Sequence, residues 1–170
     1  MAELDGLDVA LLTALRDHPR AGELELSRIT SVARATVHAR LARMEQSGVI
    51  TGYGPDLDLG AAGYGVQAFV TLEIAQGALA DVTEHLHGIS GVLEAHSTTG
   101  AGDVLCRIAA SSHEDLQATL LTLSGSTSVV RSTSVVVLSE VVAPRTIPLL
   151  AAKPLPASTR APAYRSEHRA

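Results

Sequence analysis

Basic and small side chains share one face of a short predicted helix, Arg34 to Gln46. At about 100° per residue, Val37, Leu41 and Met44 form its apolar stripe. The other faces carry the residues Arg34, Ala35, Thr36, His38, Ala39 and Arg43, with Arg40 at the edge of the stripe. Alanines let a helix enter the major groove, while threonine and arginine bind base edges or phosphates. These seven residues are therefore candidate DNA contacts.

Two of these candidates have competing interpretations. Arg40 is better placed to brace the domain through a carboxylate, or to hold one phosphate, than to read bases. His38 could equally be a solvated histidine. The helix as a whole could be an ordinary amphipathic helix with a solvated basic face. The short turn before it and the β-prone run after it argue against that alternative.

The preceding sequence predicts two more helices. The first begins at Asp5, which can cap it, has Asp8 in its first turn and ends before Pro19. Its buried face is predicted to hold Leu7, Leu11, Leu12 and Leu15. The second covers Gly22 to Thr30 with Leu26 and Ile29 inward, and Thr30-Ser31 forms the turn. Gly48 ends the third helix, and a β-prone run, Val49 to Tyr53, follows. This order predicts a winged helix-turn-helix over residues 1–54.

A hinge rich in Gly, Pro and Asp, residues 55–65, precedes a different periodicity. The predicted strands are Val66–Ala75, Val92–Thr99, Asp103–Ala110 and Val129–Val142, and the predicted helices are Ala78–Gly88 and His113–Leu123. The order βαββαβ indicates a ferredoxin-like sandwich over residues 66–143, so the fold class is α+β. Residues 144–170, rich in Pro, Ala and Arg, are predicted to be a flexible tail.

The composition of the chain limits the classes of protein to which it can belong. The net charge is −5, yet the arginines cluster between Leu26 and Tyr53, which suits a regulator better than a protein that coats DNA. No apolar run has membrane-spanning length and the acidic N-terminus is unlike a signal peptide, so we expect a cytoplasmic protein. Cys106 is expected to be a buried, inert thiol. We find no catalytic, metal-binding or cofactor motif.

Several motifs together resemble the Lrp/AsnC family of transcription regulators. They are Leu4-Asp5 with Asp8 and Arg20, the run TVHARLARMEQSGVITGY, Gly63-Tyr64, and the loop Thr99-Gly100-Ala101-Gly102-Asp103. The resemblance extends from Leu4 to about Val142. Where the family usually has a serine cap this chain has Ala33, so Ser31 could cap helix three instead. Gly102 replaces a frequent aromatic residue, which predicts a roomier or more mobile loop.

The resemblance implies a homodimer formed by sheets that pack face to face, often assembled into rings of four dimers. It also implies a small effector, typically an amino acid, bound between sensing domains. The candidate effector contacts are Thr98, Thr99, Gly100, Ala101, Gly102, Asp103, Thr133 and Ser134. The alternative for the loop is a plain β-turn with a structural aspartate. Its glycines can expose N–H groups to a carboxylate, and Asp103 can bind an ammonium group or order the loop.

Two other function classes remain open at this stage. Some Lrp-like proteins are enzymes of the sirohaem decarboxylase type, and His96 or His113 would then be the candidate tetrapyrrole contact. A DNA-packing protein with little sequence preference is the third hypothesis, and the acidic charge of the chain argues against it.

Overall fold

A computed structural model describes residues 4–152, which form two compact units. One unit comprises the residues up to Pro55 together with those from Ala143 onward, and the other comprises Asp56–Val142. Among the described residues, no helix combines the length and the apolar character that crossing a bilayer requires.

Three helices form the N-terminal unit: α1 (Gly6–Asp17), α2 (Glu23–Thr30) and α3 (Arg34–Gln46). Asp5 caps α1 through a capping box, because its carboxylate accepts from the Asp8 N–H while Asp8 accepts from the Asp5 N–H. Ser31 turns the chain between α2 and α3 with a φ of 55°. The cap at Asp5 and the bounds of α3 confirm the sequence prediction, whereas α2 begins one residue later than predicted.

The core of this unit is aliphatic and is built from one stripe on each helix. Its fully or almost fully buried members are Leu11, Ala14, Leu26, Val37, Leu41 and Met44, with Leu7, Leu12 and Leu15 packed against them. The prediction that Ile29 points inward is wrong, since its side chain is 44% exposed. Leu26 is the one buried residue of α2, and it holds this helix against the core.

The second unit is a four-stranded antiparallel sheet with two helices on one face. Its elements are β1 (Val66–Ile74), α4 (Leu79–His87), β2 (Val92–Ser97), β3 (Val104–Ala110), α5 (His113–Ser124) and β4 (Val129–Val136). The strand order is β2-β3-β1-β4, which confirms the ferredoxin-like α+β sandwich. Alternate residues of β1 and β3, among them Val70, Leu72 and Cys106, form a core with α4 and α5.

Three segments differ from the sequence prediction in type or by more than two residues. The predicted strand Val129–Val142 ends at Val136, because β4 pairs only with β1 and β1 begins at Val66. The run Val49 to Tyr53 forms no strand, so the residues after α3 are not a β-wing in the described chain. The tail was expected to be unstructured, but Ile147–Ala151 forms a helix, α6, that packs against α1. Residues 153–170 of that tail lie outside the described residues.

Candidate nucleic-acid interface

The helix α3 presents a face made of small side chains. Val37 and Met44 are fully buried and fix the opposite face of the helix against the core. Ala35 and Ala39 are exposed, and Thr36 is half-buried beside them. From Ala35 to Ala42, methyl groups are the largest projections along the centre of this face, so this part of the helix backbone can approach another surface closely.

One side of this face is lined by an exposed cluster of three charged or titratable residues. The Arg34 Nε donates to Glu23 Oε2 over 3.1 Å, and His38 Nδ1 lies 2.7 Å from Glu23 Oε1. The hydrogen bond with His38, followed by that with Arg34, lowers the pKa of Glu23. Both basic side chains remain largely exposed, so each can rotate towards a ligand without unfolding any element.

The other two arginines of α3 are held by α1 and by its cap. Arg40 donates to Asp5 and, over 3.1 Å, to Asp8 Oδ1, while Arg43 donates to Asp8 Oδ2. Asp8 is fully buried, and Arg40 is 16% exposed. The structure therefore places Arg40 as a brace, the first of the two roles considered for it. Arg43 is 48% exposed and keeps part of its guanidinium in solvent.

Two further residues belong to the same exposed face but were not among the candidates. Gln46 is exposed and projects between Ala35 and Ala39 on the helical wheel, and Ala42 lies next to them, half-buried. Glutamine can bind adenine through two hydrogen bonds in the major groove. The 100° periodicity that identified the other positions also contains these two, so the signal was present in the sequence.

The segment after α3 is held by a tyrosine rather than by a β-hairpin. The Tyr53 hydroxyl donates to Glu45 Oε1 over 2.6 Å. Partial burial, followed by the hydrogen bond to the Glu45 carboxylate, raises the pKa of Tyr53 to about 12. Tyr53 thus ties the extended residues to the last turns of α3. Ser31 does not cap α3, because no side chain accepts a hydrogen bond at its start.

A second candidate site is the loop between β2 and β3. A Cβ built on Gly102 would lie 2.2 Å from the Thr71 methyl carbon, which no real structure tolerates. The expectation of a roomier loop at Gly102 is therefore wrong, because the missing side chain is what allows the loop to approach β1. Gly100 has a φ of +119°, a conformation that glycine adopts without strain. The loop residues Thr98, Thr99, Gly100 and Ala101 are exposed.

Asp103 orders the base of this loop. Its N–H donates to the Leu72 carbonyl over 2.8 Å, and its Oδ2 accepts from the Ile74 N–H over 2.8 Å. The Thr98 hydroxyl donates to the Gly102 carbonyl over 3.0 Å and closes the turn. The hydrogen bond with the Ile74 N–H uses one oxygen of the exposed Asp103 carboxylate. The other oxygen can still accept a hydrogen bond from a ligand.

The two candidates on β4 lie on opposite faces of the sheet. Thr133 pairs with Thr71, whereas Ser134 pairs with Val70, which is buried under the helices. Directly opposed residues of an antiparallel pair project from the same face. Thr133 therefore shares the face of the loop that packs on Thr71, and Ser134 does not. Sequence reasoning proposed both because it had no register for β4.

Comparisons with known proteins cover both units. The family model for a winged helix-turn-helix DNA-binding domain matches residues 4–51, and the model for the Lrp/AsnC ligand binding domain matches residues 67–147. The transcriptional regulator Rv2324 of Mycobacterium tuberculosis is 32% identical over 144 residues, which are 84% of this chain and 97% of that protein. The chain belongs to the Lrp/AsnC family. As an Lrp/AsnC protein, it is a DNA-binding transcriptional regulator.

Solved structures of Lrp/AsnC proteins share the fold. Escherichia coli AsnC aligns with a TM-score of 0.80 and 26% identity, covering 86% of this chain and all of that one. The regulator NMB0573 of Neisseria meningitidis, solved as a complex with L-Met, aligns with a TM-score of 0.76 and 25% identity, covering 82% of this chain and 93% of that one.

Proposed function

We propose that the alanine face of α3 enters the major groove and that its flanking residues contact bases and phosphates. The observation that supports this proposal is the exposed strip of Ala35 and Ala39. Arg34 borders it on one side, and Thr36 and Arg43 border it on the other. His38 and Arg40 complete the set of expected contacts, with Arg40 limited to bracing or to one phosphate. Gln46 joins the set as a base-reading residue.

The partner on this proposal is a pseudo-palindromic double-stranded operator. A dimer places two copies of α3 in successive major grooves, one helical turn or a multiple of it apart. Phosphate contacts supply most of the affinity, and the base contacts set the register. We assign no catalytic step to the protein. We propose that it acts in the cytoplasm, the compartment that holds the DNA it would bind.

We propose that the open face of the sheet is the dimer surface. Phe69 is 42% exposed and Val135, its direct partner on β4, is 65% exposed, and both project away from α4 and α5. Two adjacent apolar side chains on an uncovered sheet face favour a second copy as the cover. Assembly of such dimers into a ring of four would bring sensing domains of different dimers together.

The effector on this proposal is an amino acid bound between sensing domains at the loop of residues 98–103. The free part of the Asp103 carboxylate is suited to an α-ammonium group, and the N–H groups around Gly100 and Gly102 are suited to a carboxylate. Thr133 lies on the same face as the loop and completes the expected contacts. The L-Met complex of the related Neisseria regulator supports this ligand class.

The DNA proposal is tested by Ala39→Glu in a gel-shift assay against genomic operator fragments. A carboxylate at the centre of the reading face repels phosphates and blocks the close approach, so we expect binding to fall at least about 100-fold, or ~3 kcal/mol. Ala118→Glu, at an exposed position of α5, adds the same charge elsewhere and is the control. Equal affinity of the two variants would contradict the assignment.

The effector proposal is tested by a thermal-shift screen of the twenty amino acids, because a ligand that binds only the folded form raises the melting temperature. Asp103→Asn is the informative variant. Its amide oxygen can still accept from the Ile74 N–H, but it lacks the negative charge that holds an ammonium group. We expect the ligand-induced shift to disappear while the melting temperature without ligand stays close to that of the native protein.

A further inference from the structure

Glu23 differs from Asp5 and Asp8 because both of its partners are largely exposed side chains at the edge of the proposed DNA-binding face. It is the first residue of α2, and its two carboxylate oxygens are divided between Arg34 and His38. Arg34 is 68% exposed and His38 is 70% exposed, so their partner is a carboxylate that sits at the rim of the surface on which DNA would lie.

Asp5 and Asp8 differ from Glu23 in where their carboxylates lie, and this difference indicates the role of Glu23. Those two carboxylates are largely or fully buried and hold Arg40 and Arg43 from behind the helix. A duplex on α3 could leave those pairs intact. The pairs of Glu23 are different, since a phosphate that binds Arg34 must take the position of the carboxylate or share the guanidinium with it.

We propose that Glu23 is an intramolecular counter-charge that occupies Arg34 and His38 in the DNA-free protein and that phosphates of any duplex must displace. This inference rests on the proposed use of α3 as the DNA-reading helix. Phosphate contacts are independent of sequence and dominate non-specific binding. A carboxylate that opposes them lowers the affinity for every duplex and leaves base contacts to decide where the protein stays.

The displacement is energetically feasible because exposed ion pairs contribute little free energy in water. Breaking the Glu23–Arg34 pair therefore costs little in itself. What persists in the complex is the repulsion between the displaced carboxylate and the phosphate that replaced it. Removing the charge of Glu23 should thus increase DNA affinity, which is the reverse of what removal of a residue that supports DNA binding would do.

The test uses the full-length chain and a fluorescent random-sequence duplex, titrated over a range of salt concentrations. Glu23→Gln retains the size and hydrogen-bonding capacity of the side chain without its charge. Glu25→Gln is the matched control, since Glu25 lies in the same first turn of α2 and makes no ion pair with any residue between 4 and 152. Both variants change the net charge and the helix-end interaction equally.

We expect Glu23→Gln to bind the duplex about tenfold more tightly than Glu25→Gln. We also expect the plot of log affinity against log salt concentration to steepen by about one unit, the value for one additional phosphate contact. Adding Arg34→Ala to each variant closes a cycle, in which most of the gain should vanish when Arg34 is absent. Circular dichroism melts verify that all variants are folded.

Each outcome has a defined meaning. If Glu23→Gln and Glu25→Gln have the same affinity and the same salt slope, the counter-charge role is wrong while the DNA-binding face of α3 stands. If Glu23→Gln binds more weakly than its control, Glu23 instead positions Arg34 for DNA, which also overturns the proposal. If the native chain and both variants fail to bind any duplex at low salt, the proposed function fails with it.

Discussion

The carboxylate of Asp8, on the first turn of α1, is fully buried and accepts a hydrogen bond from Arg43 on the last turn of α3. The same carboxylate accepts from Arg40 and from the Asp5 N–H. One buried anion thus joins the cap of the first helix to the helix that we propose to read DNA. The orientation of α3 depends on an electrostatic contact as well as on apolar packing.

We predict that Asp8→Asn lowers the free energy of unfolding by about 3 kcal/mol, because removing one partner of a buried ion pair leaves the other uncompensated. Equilibrium urea unfolding measures this difference. Asp17→Asn, an exposed position at the end of α1, should change the same quantity by less than about 0.5 kcal/mol. If the two variants were equally stable, Asp8 would not hold α3.

Acid should weaken the same network through Asp5. Burial raises the pKa of Asp5, but the hydrogen bonds from Arg40 and from the Asp8 and Leu7 N–H groups outweigh it and leave the pKa below its ordinary value. A lowered folded-state pKa means that the stabilisation is fully present above about pH 4, the unfolded value, and is lost as pH falls through the folded value.

Asp5→Asn isolates this effect, since asparagine caps helices as well as aspartate does but carries no charge. We predict that its unfolding free energy falls less steeply below about pH 4 than that of the native chain. Urea unfolding series at several pH values, followed by circular dichroism, provide the measurement. Parallel pH profiles for the two proteins would contradict the assignment to Asp5.

Gly102 should resist any substitution as long as Thr71 keeps its methyl group. The new Cβ of Gly102→Ala would overlap that methyl carbon, so we predict a loss of about 1–3 kcal/mol, the usual cost of overpacking. Thr71→Ser removes the methyl group and should recover a large part of the loss in the double variant. Additive effects of the two substitutions in urea unfolding would argue against this contact.

Cys106 should be chemically silent in the native protein. Burial in the core beneath α4 and α5 raises the pKa of its thiol to about 11, so only about 0.1% would be thiolate at pH 8. We predict no measurable reaction with an aromatic disulfide reagent in native buffer and rapid reaction in concentrated urea. Rapid labelling of the folded chain would show that the strands around Cys106 open readily.

The sequence predicted best what is determined by residues close together in the chain. The N-cap at Asp5, the end of α1 before Pro19 and the end of α3 near Gly48 each depend on side chains within a turn of the boundary. The burial of Val37 and Met44 followed from helical periodicity, which fixes the buried face once the helix is known.

The partners of the arginines could not be predicted in the same way. Arg43 and Asp8 are 35 residues apart, and Glu23 and Arg34 are 11 apart, so only the packing of three helices brings them together. Counting charges within the stretch from Leu26 to Tyr53 showed an excess of arginine, but the balancing carboxylates lie outside it. Each of the three arginines of α3 is in fact paired with one of these carboxylates.

The predicted end of β4 was wrong for a related reason. A β-prone run becomes a strand only where a neighbour offers hydrogen bonds. The last bond that β1 offers joins the Val137 N–H to the Gln67 carbonyl, one residue from the start of β1 at Val66. The short helix Ile147–Ala151 was missed because its prolines suggested irregular structure. Pro148 lies in the first turn of that helix, where proline is well tolerated.

The packing of α6 against α1 makes the N-terminal unit discontinuous in sequence, with the sheet unit inserted between its two parts. The polypeptide consequently crosses between the units twice, once after Pro55 and once before Ala143. A single protease cut within residues 56–65 would separate α1–α3 from the sheet unit as distinct polypeptides, and the packing of α6 against α1 would then connect the two fragments. In the intact chain the sheet unit is therefore joined covalently to the N-terminal unit at both of its ends.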